Sequence, residues 1–188
     1  MQPHIIGLSA LVCAWLLGHA NERADKGSPS AEALCKDWFG PAARLAPLAL
    51  GDTNAVVSEV TLDGQPSGWL FRTDQTPPAC KGKRGEIVLF VAVGADARIK
   101  GLHVLSHKED PAYFRRLKVE FFEQFKNQRA DGSDVKVDAV TKATLSSKAI
   151  IREVLEGARH VLAQPEIAGK MITPEQTPLT KTAAMPHN

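Results

Sequence analysis

The chain has 188 residues, 44% of them hydrophobic, and 23 Lys and Arg stand against 21 Asp and Glu for a formal net charge of +2. That is enough apolar material for one real core, and one domain of about 130 to 150 residues is the expectation. The balanced charge, with no long basic run, argues against nucleic acid as a partner, and the small clusters Lys81, Lys83, Arg84 and Arg115, Arg116, Lys118 read as solvated surface.

The apolar run from Ile5 to Gly18 is shorter than the roughly 20 residues that a membrane span needs. Gly18-His19-Ala20 follows, with small residues at the two positions that a signal peptidase reads, so residues 1–20 are expected to be an export signal. No Lys or Arg precedes Ile5, which leaves an uncleaved anchor as the alternative. Either way the domain is expected outside the cytoplasm, periplasmic or attached to the outer face of the cytoplasmic membrane. Residues 21–30 are polar, with Gly, Ser and Pro among them, and suit a tether. In an oxidising compartment Cys35 and Cys80 are expected to pair, a bond worth roughly 4 kcal/mol on the chain-entropy account, with two separate thiols as the alternative. Neither lies in a Cys-x-x-Cys sequence, which argues against zinc, thioredoxin-like or covalent haem chemistry.

The folded domain is expected over residues 31–163. Ser30 is a fair cap for a short helix carrying Ala31, Leu34, Cys35 and Trp38 on one side, stopped by Gly40-Pro41. Ala55 to Leu62 and Trp69 to Thr73 read as a hairpin around Asp63-Gly64. Glu86 to Val93 and Arg98 to Ser106 form a second pair, and the first of these is apolar at nearly every residue, as in a central strand covered on both faces. Asp110-Pro111 opens a helix to about Asn127, with Phe114, Leu117, Phe121 and Phe125 inward and Phe122 beside them. The last helix runs from about Ser147 to Leu162 on an apolar face of Ile150, Ile151, Val154, Leu155, Ala158, Val161 and Leu162. Residues 164–188 are rich in Pro, Thr and Lys and are expected to be disordered. Strands and helices segregated in pairs indicate an α+β domain with a mostly antiparallel sheet.

Two constellations stand out. In Asp138-Ala-Val-Thr-Lys-Ala-Thr144-Leu-Ser-Ser147 a run of hydroxyls sits just before an amphipathic helix. Helix amino-termini leave N–H groups unpaired and carry positive dipole charge, so a phosphate ester is at home there. The plain alternative is that Thr141, Thr144, Ser146 and Ser147 cap the helix. In His107-Lys-Glu109-Asp-Pro111, a continued strand would project His103, Leu105, His107 and Glu109 from one face. Two His and one Glu lack a fourth ligand and have no specific metal spacing, so no metal site is assigned.

The first constellation resembles the Asp-x-x-Ser/Thr-Gly-Ala-Thr motif of the FMN-binding domain family, found in sodium-pumping NADH:quinone reductases, Rnf complexes and nitrous-oxide-reductase regulators. Asp138, Thr141, Ala143 and Thr144 fall on the motif, while Lys142 stands where the family has Gly. The resemblance runs from about Ala55 to Leu162 and includes the Gly68-Trp-Leu-Phe-Arg-Thr-Asp74 strand and the family's His-x-Glu-x-Pro loop at His107 to Pro111. It implies FMN esterified through its phosphate to Thr144, with Asp138, Thr141, Lys142, Ala143, Leu145 and Ser146 around the attachment. His107 and Glu109 would support the flavin pocket. It implies further an exported electron carrier, one part of a larger redox system rather than a stand-alone catalyst, matured by a flavin transferase and serving a membrane haem or flavin redox protein. Two other readings stay open at this point: a module that binds FMN or another phosphate ligand without the bond, and a structural or regulatory exported domain without cofactor.

Overall fold

The computed structural model describes residues 28–51, 55–76, 85–117, 119–133, 135–141 and 143–172. The expected export signal and most of the tether lie outside these residues. Among the described residues no helix is long and apolar enough to cross a membrane. The domain is α+β: helix α1 (Ala31–Phe39) precedes strands β1 (Arg44–Leu48), β2 (Val57–Leu62), β3 (Gln65–Arg72), β4 (Ile87–Gly94) and β5 (Ile99–His107), with a 3-10 turn at Thr73–Gln75. Helices α2 (Pro111–Phe114), α3 (Val119–Glu123), α4 (Thr144–Leu162) and α5 (Pro165–Ala168) follow. The strands form one sheet in sequence order, each antiparallel to the next.

Alternation along the strands builds two cores, one on each face. Trp69, Phe71, Ile87, Leu89, Val91 and Val93 face the larger core with Ile150, Val154, Ala158 and Val161 of α4. Val60, Leu70 and Ala92 face the other with Cys35 of α1. β4 is the strand expected to be covered on both faces, and burial along nearly its whole length agrees. The β2–β3 hairpin turns at Asp63 (φ 50°) and Gly64 (φ 78°), the pair of positive φ angles that a tight hairpin turn needs. Glycines let α1 lie close: a Cβ on Gly101 would sit 2.3 Å from the Trp38 ring, and one on Gly68 would sit 2.7 Å from the Phe39 ring.

The structure departs from the sequence reading in several places. β1 is an additional strand, one whose sequence signal Pro47 weakens. It is an edge strand paired only with β2, where a missing N–H is tolerated. The helix expected over Asp110 to Asn127 is broken into α2 and α3. Asp110 does accept the Ala112 N–H at 2.9 Å as a cap. The two halves then anchor to different partners: Phe114 stacks on His107, whereas Phe121 and Phe125 meet edge to face in the large core. The segment expected to be a disordered tail begins with order, since Ile167 is fully buried in the large core and the Ile172 N–H donates to the Ala95 carbonyl. Lys170 pairs with Glu59 across the surface at 2.6 Å. The expected disulfide is not seen: Cys35 is a free thiol, 1% exposed among Val60, Leu70 and Ala92, and Cys80 lies outside the described residues. Burial raises the Cys35 pKa, so the thiol form is favoured there.

Candidate functional site

The two constellations meet at the first turn of α4. That helix starts at Thr144, three residues earlier than expected, and its cap position is Ala143 with no side-chain hydrogen bond. The capping role considered for the hydroxyl residues is therefore not filled. No acidic residue stands in the first turn either. Such an end presents N–H groups and positive dipole charge with no side-chain hydrogen bond from its cap residue, an arrangement able to hold an anion.

The four hydroxyls divide sharply by exposure. Thr144 is exposed, and among the described residues its Oγ1 donates a long 3.3 Å bond to the Val140 carbonyl. Thr141 is exposed in the preceding turn. Ser146 is 5% exposed and donates from Oγ to Glu109 Oε2 at 2.7 Å. Ser147 is fully buried, accepts from the Val140 N–H at 3.1 Å, and lies 3.1 Å from both the Ala143 and Thr144 carbonyls. Ser147 thus folds the loop onto the helix, and Ser146 joins the helix to the segment after β5. Asp138 is exposed, with its backbone N–H held by Gln124 Oε1 at 2.9 Å. Ala143 is buried against the large core, Leu145 is 62% exposed, and Lys142 lies outside the described residues.

His103, Leu105 and His107 do not share a face. The register of β4 against β5 shifts between Val88 and Leu89, which pair with Ser106 and Val104, so Leu105 is an extra residue in a bulge. One inserted residue reverses the alternation. His107 then stands opposite Ile87 on the large-core face, while His103 stands opposite Phe90 on the α1 face. Burial lowers the His103 pKa. The His107 ring stacks on Phe114 with centroids 3.6 Å apart and planes 16° from parallel, and its Nδ1 is buried without a partner among the described residues. Glu109 is 6% exposed beyond the strand end and turns to Ser146. Among the described residues no three His, Cys, Asp or Glu side chains cluster to hold a metal.

Sequence reasoning missed Glu153. It lies on the buried side of α4, 2% exposed, with Oε2 lacking a partner among the described residues. Burial first, then the nearby Glu86 and Asp74 carboxylates, push its pKa up to about 7 against the opposing effect of a Thr73 hydrogen bond. Thr73 Oγ1 also accepts the Leu89 N–H at 3.0 Å, tying the exit of β3 to β4. Glu153 stands seven residues after Ser146, on the same side of the helix, a spacing that could have flagged two polar residues within an apolar stripe.

Comparison with known proteins places this geometry. Residues 82–158, which contain β4, β5, the His107 to Pro111 loop and the start of α4, match the FMN-binding domain family. A component of the proton-translocating ferredoxin:NAD(+) oxidoreductase complex of Clostridium ljungdahlii is 33% identical over 94 residues, covering 45% of this chain and 51% of that protein. The chain thus spans about half the length of the curated relative it matches. Over residues 82–158, less than half of its length, the chain is similar to the FMN-binding domain family.

Proposed function

We propose that the chain is an exported electron-carrying flavoprotein in which FMN is joined by a phosphoester bond to Thr144. The observation that carries this reading is the uncapped, acid-free first turn of α4 with Thr144 as its exposed hydroxyl. Ser146 and Ser147 are buried and engaged with protein groups, so Thr144 is the hydroxyl of the helix proper that a transferase can reach. The residues fit the cofactor: first-turn N–H groups would hold its phosphate, exposed Leu145 would give the ring an apolar neighbour, and His107 Nδ1, without a partner among the described residues, would meet a polar edge. Asp138 and Thr141, exposed in the approach to the helix, would present the loop to a flavin transferase.

FMN when bound supplies one- and two-electron redox chemistry. The chain contributes attachment, a fixed helix end and a partly desolvated setting, and no side chain is asked to act as nucleophile on a substrate. In the ester-forming step Thr144 Oγ loses its proton and bonds to the phosphorus of an activated FMN donor as the donor's bond from phosphorus to its leaving group breaks, so the protein gains the mass of FMN less one water and the leaving group departs with the proton. A permanent bond keeps the cofactor from being lost by dilution outside the cytoplasm. The matched relative's name, a subunit of a proton-translocating ferredoxin:NAD(+) oxidoreductase complex, supports a membrane redox protein as partner, and a haem or flavin protein is the partner proposed. Lys142 in the motif's Gly position favours a second reading, FMN bound without the bond. Denaturing the flavin-loaded protein separates the two: yellow colour that stays with the chain, and is lost in Thr144→Ala, supports the ester. Colour released to the filtrate overturns it.

A further inference from the structure

We infer that Glu109 is a positioning residue whose buried hydrogen bond to Ser146 aims Thr144 at solvent, an inference that rests on Thr144 being the attachment point. Glu109 and Ser146 are 6% and 5% exposed, and the Oγ–Oε2 distance is 2.7 Å. A bond to a carboxylate in so dry a place is stronger than one between neutral groups. Its location matters more than its strength. Helix ends fray, and this end lacks a side-chain cap. The bond replaces the missing cap by fastening the first turn of α4 to the segment that leaves β5.

Helix geometry converts that tie into an orientation. Successive residues advance by about 100°, so Thr144 and Ser146 lie on nearly opposite sides of the axis. Holding Ser146 inward therefore turns Thr144 outward, in agreement with their burial. Ser147, fastened to the Val140 N–H, reinforces the same rotation from the preceding loop. The same tie holds the Ser146 hydroxyl inside at 5% exposure, and that burial keeps it from competing with Thr144 as a flavin acceptor.

The test uses the full chain and three variants. Glu109→Ala removes the acceptor, Ser146→Ala removes the donor, and Glu109→Gln keeps an acceptor oxygen at the same reach while discarding the charge. Amide hydrogen exchange across residues 144–149 is read beside the rest of α4, and the rate of flavin incorporation at Thr144 is followed by mass. Glu109→Ala and Ser146→Ala should each speed exchange in the first turn by about tenfold while leaving the middle of α4 unchanged. Both should slow incorporation, and Glu109→Gln should restore most of each property. First-turn exchange that is unchanged in both, or that rises equally through the helix and sheet, overturns the inference. A wild-type chain that takes no flavin would sink the proposed function, yet the exchange arm would still decide the tie between Glu109 and Ser146.

Discussion

Replacing Glu153 by Gln probes the buried carboxyl under α4 without changing its size. In the folded chain burial, helped by Glu86 and Asp74, raises its pKa from 4.5 to about 7 against the Thr73 hydrogen bond. The neutral acid is thus the form that the fold prefers, and its stabilising contribution is fully present below pH 4.5. As pH rises from there to about 7 the unfolded chain ionises first, so stability falls through that window and levels off above it. At about 1.4 kcal/mol for each pH unit separating the two values, the loss by pH 8 is at most about 3.5 kcal/mol. Gln stays neutral and offers an oxygen to the Thr73 hydroxyl, so the variant should match wild type near pH 4.5 and exceed it at pH 8. Urea denaturation at fixed ionic strength from pH 4.5 to 8.5 measures the difference directly. In thermal unfolding it should reach at most about 7 to 14 °C at the alkaline end. A gap between the two proteins that does not grow between pH 5 and 7 would refute the reasoning.

Gly101→Ala places a Cβ 2.3 Å from the Trp38 ring, so α1 has to lift; a loss of roughly 1 to 3 kcal/mol and a change in tryptophan fluorescence should appear in denaturant melts. Ser147→Ala strands the part-buried Val140 N–H and should cost roughly 1 kcal/mol, with faster exchange in residues 137–143; an unchanged loop would contradict the tie described for it. Cys35, buried and with its pKa raised, should resist iodoacetamide in the native protein and react once unfolded; alkylation at equal rates in both states would show that the α1 core is open.

Much of the framework is legible in the sequence because local chemistry and tertiary structure agree there. Asp63-Gly64 meets the positive φ angles of a hairpin turn, and the continuous apolar run of β4 matches a strand buried on both faces. The apolar face of α4 is equally plain, with Ile150, Val154, Ala158 and Val161 all fully buried. What failed depends on longer-range events. Alternation places His103 and His107 together, and one bulged residue at Leu105, invisible to a period-two count, sends them to opposite faces. Aromatic spacing predicts one helix over Asp110 to Asn127, but Phe114 finds a partner in His107 and the helix breaks. Hydroxyls ahead of α4 resemble caps, whereas burial assigns Ser146 and Ser147 to structure and leaves Thr144 outside. Ile167, Met171 and Ile172 are scattered apolar residues in a Pro-containing polar stretch with no helix or strand period, too weak a signal to announce a return to the core.

The central claim is the bond at Thr144, and intact mass tests it most directly. The mature protein, expressed with export and a flavin transferase, should gain FMN less one water, and fragmentation across Asp138 to Lys148 should place that gain on Thr144. An unmodified mass under conditions that flavinylate a known acceptor, or the same gain on a different residue, would contradict the account.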